Sequence, residues 1–134
     1  QTCALPILLA ELAELVATAP GIERAGHSVL WQSVCDYLSE HWSDPQLSRK
    51  GAAAFFRRHP NHFSRFFHVH ARCNFRTYVN GIRLERSLTF LRDLRYNVTE
   101  VACRCGFSDV QYFIRCFRRR FGFTPGEFRR RHEP

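Results

Sequence analysis

The stretch CGFSDVQYFIRCFRRRFGFTPGEFR, residues 105–129, interleaves phenylalanine and arginine at helical spacing. Phe113, Cys116 and Phe117 fall on one face of a 3.6-residue repeat, the face that goes inward. Gln111, Ile114, Arg115 and Arg118 recur at i, i+3, i+4 and i+7 on the other. Immediately upstream, residues 99–105 read as a shorter helix with Val101 and Ala102 inward. Gly106 supplies the left-handed residue that a sharp turn requires, and Ser108 with Gln111 reads as a capping box opening the next helix. The unit is helix, tight turn, helix, with an exposed stripe of Gln and Arg of the kind that suits base edges.

The same pattern occurs once more, in RHPNHFSRFFHVHARCNFRTYV, residues 58–79. At an offset of fifty, Phe63 falls on Phe113, Arg65 on Arg115, Phe67 on Phe117, Asn74 on Thr124 and Tyr78 on Phe128. Upstream of the turn the offset is 49, which sets Ala53 on Ala102. In this copy Phe63, Phe66 and Phe67 point inward, and Asn61, Ser64, Arg65 and His68 outward. Residues 75–92 between the copies form a single helical pattern carrying Tyr78, Val79, Ile82, Leu88 and Leu91. At ~1.5 Å per residue it spans roughly 27 Å. Successive major-groove entries on one side of a duplex lie about 34 Å apart, so a rigid connector of this length suits two adjacent grooves.

Charge follows the same division. Residues 1–48 hold one arginine and six acids, whereas residues 49–134 hold nineteen basic residues and six acids. A net +13 in the second segment against −5 in the first points to a polyanionic partner, either nucleic acid, with double-stranded DNA as the expected partner, or an acidic membrane face. All but one of the basic residues, Lys50, are arginine, which suits bidentate phosphate and guanine contacts.

The remaining features are less informative. Residues 4–17, ALPILLAELAELVA, carry two Glu and are too short to span a bilayer, so no membrane partner is expected. The first seven residues, QTCALPI, match the translation of a common sequencing adapter. Residues 1–28 are therefore expected to be an artefactual start plus a linker remnant, with a short amphipathic helix over residues 8–18. The chain is then the C-terminal piece of a longer protein. A firmer helix carries Leu30, Val34, Tyr37 and Leu38 and ends at the SDP of residues 43–45. No alternating strand-like run follows, so the class is all-α.

The six cysteines fall mostly in helical patterns and are expected to be reduced thiols. Cys103 and Cys105 lie on different helix faces, and His59, His62, His68, His70 and Cys73 lack ligand spacing. Neither a metal nor any other cofactor is expected. No nucleophile–base set occurs, so no enzymatic activity is expected.

The pattern Ala102, Gly106-Phe107-Ser108-Asp109, Tyr112-Phe113, Phe117, Gly122, Thr124-Pro125 and Phe128-Arg129 resembles the second helix-turn-helix signature of the AraC/XylS family of bacterial transcription regulators. LSRKGAAAFFRRHPNHFSRFF and YVNGIRLERS resemble the first unit and the linker start, so the resemblance covers about residues 29–131. It implies a DNA-binding domain over residues 29–134 with a homeodomain-like, AraC-type fold. The first helix-turn-helix occupies about residues 29–73, the linker helix 75–92 and the second helix-turn-helix 94–131.

The implied function is sequence-specific transcription regulation in the cytoplasm, with RNA polymerase as a further partner and an upstream effector-binding domain missing from this chain. Asn61, Ser64, Arg65, Gln111, Ile114 and Arg115 are the expected base readers. His68, Arg118, Arg119 and Arg120 are the expected phosphate contacts, and the RRR of residues 129–131 is expected to be a frayed basic tail. The first unit departs from the family pattern at Ala52, Arg58, His59 and Arg72. Two alternatives remain: the adaptor module of a DNA-repair methyltransferase, which should continue into a PCHR-type active site, or a degenerate unit used for protein contacts.

Overall fold

The computed structural model describes residues 21–133, and among them it contains seven α-helices and no strand. In chain order these are α1 (Gly21–His41), α2 (Arg49–Phe55), α3 (Pro60–Ala71), α4 (Phe75–Arg92), α5 (Val98–Arg104), α6 (Val110–Phe121) and α7 (Pro125–His132). The expected helix over residues 8–18 and the suspected start at residues 1–7 lie outside the described residues. The linker expected to run up to Ser28 is corrected in part, because α1 already begins at Gly21. Its first turns have something to pack on: the His27 ring meets Phe66 edge-on at 5.6 Å.

Two cores form, one per copy, and α4 serves both. The first gathers Trp31, Val34 and Leu38 of α1, Ala52 and Ala53 of α2, Phe63 and Phe67 of α3, and Phe75 and Val79 from the first half of α4. The second gathers Leu84 and Leu91 from the second half of α4, Val101 and Ala102 of α5, Phe113 and Phe117 of α6, and Phe128 of α7. Each buried Phe contributes about 1.5–3 kcal/mol by leaving water. Ala52 and Ala102 have no exposed surface, which lets the crossing helices approach closely. Phe113 and Phe117 of the opening stretch are thus core residues, as the periodicity predicts, as are Phe63 and Phe67 of the first copy; Phe66 and Cys116, also expected inward, stay half-buried at the margin, as do Phe121 and Phe123.

The caps explain why the offset changes from 49 to 50. Ser48 caps α2 and Asn97 caps α5, the latter as a full capping box with Glu100. Both first helices then end in the same double hydrogen bond. In the first copy Arg58 N–H donates to Ala53 O at 2.8 Å and Arg57 N–H to Ala54 O at 3.0 Å. In the second, Phe107 N–H donates to Ala102 O at 3.0 Å and Gly106 N–H to Cys103 O at 3.1 Å. After that the copies diverge: residues 56–59 join α2 to α3, and residues 105–109 join α5 to α6. The extra residue is Ser108.

This corrects the capping expected at Ser108. The side chain that accepts from the α6 amides is Asp109, from Tyr112 N–H at 3.1 Å, because the longer turn carries Ser108 one step too early. In the first copy His59, where the sequence departs from the family pattern, caps α3 by accepting from Asn61 N–H at 3.3 Å. The basic tail is corrected as well. Residues 129–131 belong to α7, whose Thr124 and Glu127 form a capping box. Arg129 donates to Leu91 O and Tyr96 O, which ties α7 to the end of α4.

Candidate nucleic-acid interface

The outward stripe of α6 emerges much as its spacing predicts. Gln111, Arg115, Arg118 and Arg119 are exposed, while Phe113 and Phe117 opposite them are fully buried. Two expected members behave differently. Ile114 is half-buried against the second core, because at i+1 from Phe113 its side chain reaches the margin of the packed face. Arg120 donates to Glu85 Oε1 of α4 through Nη2 at 2.7 Å and Nε at 3.1 Å, so its charge is already partly matched within the protein.

On α3, Asn61, Arg65 and His68 are exposed. Ser64 is half-buried, and its hydroxyl is occupied: it donates to Pro60 O at 2.9 Å and accepts from the Arg49 guanidinium. The α3 stripe is therefore a sparser reading surface than its composition suggests.

A cleft of about 1240 Å³ opens between the two units. Its walls include Arg49 from the start of α2, Arg76 and Asn80 from α4, and Tyr112, Arg115 and Arg119 from α6. Tyr112 organises one side of it. Its ring takes the Arg76 guanidinium at 4.8 Å and the Arg115 guanidinium at 5.8 Å, and its hydroxyl accepts from Asn80 Nδ2 at 2.9 Å. The aromatic face offsets the mutual repulsion of two arginines and holds both at the cleft. Arg49, which lines the same cleft, is bonded to Ser64 on the outward side of α3. The α6 stripe thus borders this arginine-rich opening directly through Arg115 and Arg119, and the α3 stripe reaches it through Arg49.

Sequence reasoning missed Arg49, Arg76, Asn80 and Tyr112 as members of this surface. Arg76 and Asn80 are four apart on α4 and so share a face, but nothing in the spacing says that α6 lies across from them.

Cys105 is buried, which pushes its thiol up to about 11, whereas Cys103 is exposed. Among the described residues no three His, Cys, Asp or Glu side chains converge on a metal-sized point. No helix among them is long and apolar enough to cross a membrane.

Residues 52–131 match the helix-turn-helix domain family. Over 119 residues the chain is 37% identical to the uncharacterized HTH-type transcriptional regulator YpdC of Escherichia coli (strain K12), covering 89% of this chain and 41% of that protein. It is also 37% identical over 106 residues to the HTH-type transcriptional activator RhaR of Mannheimia succiniciproducens, covering 78% of this chain and 34% of that one. The chain thus spans about two-fifths of the length of the curated relatives it matches.

Among solved structures, the DNA-binding domain of AdpA, a global transcriptional factor crystallised with a target DNA, superposes with a TM-score of 0.70 at 26% identity, covering 75% of this chain and 90% of that one. The C-terminal domain of the response regulator yesN from Fusobacterium nucleatum shares the fold, with a TM-score of 0.72 at 24% identity over 76% of this chain and 99% of that domain. With two helix-turn-helix units on a shared helix and these likenesses together, the chain belongs to the AraC-type family of helix-turn-helix transcriptional regulators.

Proposed function

We propose that this chain is the DNA-binding module of a transcription regulator, and that it reads a specific duplex site by inserting α3 and α6 into two successive major grooves. The observation that carries the reading is the common cleft: Arg49, tied to the α3 stripe, and Arg115 and Arg119, on the α6 stripe, line one opening. Gln111 and Arg115 read base edges from α6, and Asn61 and Arg65 from α3. Ile114 offers an apolar margin suited to a thymine methyl. Arg118, Arg119 and His68 meet phosphates. Arg120, matched by Glu85, serves the α4–α6 contact more than the duplex, and Ser64 supports Arg49 more than it reads bases.

The net +13 of residues 49–134 supplies the general attraction, and the stripes supply discrimination. The module is a binding element rather than an enzyme. An upstream effector-binding domain and contact with RNA polymerase belong to the whole regulator that this reading implies.

Selection of bound sequences from random duplexes, followed by affinity measurement over a salt series, tests the proposal. A two-box consensus should emerge, and affinity should fall steeply with salt as counterions are released. Enrichment of no sequence, or affinity indifferent to salt, would overturn it.

A further inference from the structure

α4 belongs to both cores, and the residue at its changeover is charged. Val79 packs in the first core, Leu84 in the second, and Arg83 lies between them, only 8% exposed. Its guanidinium bonds to backbone carbonyls. Nε donates to Trp42 O and Nη2 to Asp44 O, both at 2.8 Å, so it captures the loop that joins α1 to α2. Burial pulls its pKa below the ordinary arginine value, with Asp44 acting against that pull.

That loop presses on the other unit. The Trp42 side chain packs against the second core, and the Arg86 guanidinium covers its ring at 5.7 Å. The α5–α6 turn lies close by: Phe107 sits 5.8 Å beneath the Arg83 guanidinium. A Cβ on Gly106 would come within 2.9 Å of Ser43 O and 3.0 Å of Arg83 Nε. Three segments therefore meet at one point with no room to slide: the α1–α2 loop of the first unit, the middle of α4, and the turn that aims α6.

We propose that Arg83 is a positioning residue that sets the distance and rotational phase between the two recognition helices, and so the spacing between half-sites that the protein accepts. The inference rests on the two-groove reading above. Its physical content is directional. Two hydrogen bonds from one planar guanidinium to two carbonyls two residues apart fix an angle as well as a distance, which an apolar side chain of similar length does not. Each added base pair turns one half-site by roughly 34° and moves it by about 3.4 Å relative to the other, so a rigid joint should be intolerant of insertion.

The test uses the full chain and a duplex carrying the selected two-box site. Companion duplexes carry one or two base pairs inserted between the boxes, or one box scrambled. The wild-type chain should lose about tenfold or more in affinity for each inserted base pair. Arg83→Met should reduce that penalty to about threefold or less while leaving single-box affinity within about twofold of wild type. Arg83→Lys, which keeps the charge but not the paired geometry, should fall between the two.

A Met variant with the wild-type insertion penalty would overturn the inference, even if it bound all sites more weakly. So would a wild-type chain that bound the two-box site selectively but tolerated insertions. Should the Met variant fail to fold, the Lys variant decides by the same criterion. A wild-type chain that selects no site at all would instead sink the two-groove reading beneath it.

Discussion

The first helix-turn-helix and the second trace the same path with different residues, and the difference concentrates where the backbone turns left-handed. In the second unit Gly106 and Gly122 adopt φ of 83° and 84°. In the first, the matching positions are Arg57 at 53° and Arg72 at 61°. An L-residue with a side chain pays roughly 1–2 kcal/mol for that conformation. The first unit also buries the Trp31 indole N–H with no hydrogen bond. Ser48 caps its first helix without the carboxylate that Glu100 contributes beside Asn97. What the first unit gains is charge: two extra arginines on its turns, both exposed. Duplication preserved the hydrogen-bond frame and let the second copy keep the more relaxed turns.

The largest expected effect strikes where the units touch. Gly106→Ala adds left-handed strain and drives a Cβ against the Ser43 carbonyl, so it should destabilise the chain by about 3 kcal/mol or more in denaturant unfolding. A cost no larger than that of Gly122→Ala, where a Cβ meets nothing within 4 Å, would break the idea that the second turn abuts the first unit.

Next in size is DNA binding. Arg115→Ala should cost roughly 1–3 kcal/mol and relax discrimination at one base position, whereas Arg119→Ala should weaken all sequences alike. Arg65→Ala should cost less than Arg115→Ala, at about 1 kcal/mol, because its neighbour Ser64 is committed to Arg49. Competition binding against random duplex separates these outcomes, and equal losses for Arg65 and Arg115 would show that the two stripes read equally.

A smaller effect tests the turns directly. Gly122→Ala should destabilise by about 1–2 kcal/mol from backbone strain alone. Its mirror, Arg72→Gly, should stabilise by about 0.5–1 kcal/mol once the greater freedom of the unfolded glycine is deducted. If Arg72→Gly lowers the unfolding midpoint, the arginine makes a contact that outweighs its strained backbone.

The smallest effect concerns a turn that both units share. Gln46 N–H donates to Asp44 Oδ1, and Arg95 N–H donates to Asp93 Oδ1, the same turn at the 49-residue offset. Only the second adds a side-chain pair, Arg95 on Asp93 at 2.7 Å, which holds the Asp93 carboxyl at about 2 against an ordinary 3.8. A depressed folded value means that the stabilisation is complete above the ordinary carboxylate range and disappears as pH falls through about 2. Asp93→Asn should therefore lower stability slightly at neutral pH and leave it unchanged near pH 2, as read by thermal melts across the acid range. A difference that persisted at pH 2 would assign the effect to the turn rather than to the charge.

Much of this architecture is visible in the residues themselves. Phe63, Phe67, Phe113 and Phe117 repeat at helical spacing and are all fully buried, because an amphipathic helix has one way to hide its apolar face. Ser108 and Asp109 show where such reading fails. Both are good caps, adjacent in the chain, and only the length of the turn decides between them. The helical start of α1, within the segment expected to be a linker remnant, is set in the same way by what lies beyond its neighbours, since His27 packs on Phe66 of α3. Arg83 carries a signal of its own in the sequence. It shares an i+4 row with Val79, Ser87 and Leu91, three buried positions, and a charge on such a row needs a buried partner.

What the chain determines locally is therefore the set of helices, their buried faces, the duplicated turn and the cationic excess, since each depends on neighbours within a few residues. Tertiary structure alone decided that Tyr112 shelters Arg76 and Arg115, that Glu85 occupies Arg120, and that Arg83 clasps the Trp42 and Asp44 carbonyls. Apart from Tyr112–Arg115, three apart on α6, these contacts join residues some thirty-five to forty positions apart, across helices whose relative rotation no local periodicity encodes. Closing such distances is driven by two cores sharing one helix, and the angle at which they share it is set only when both have packed.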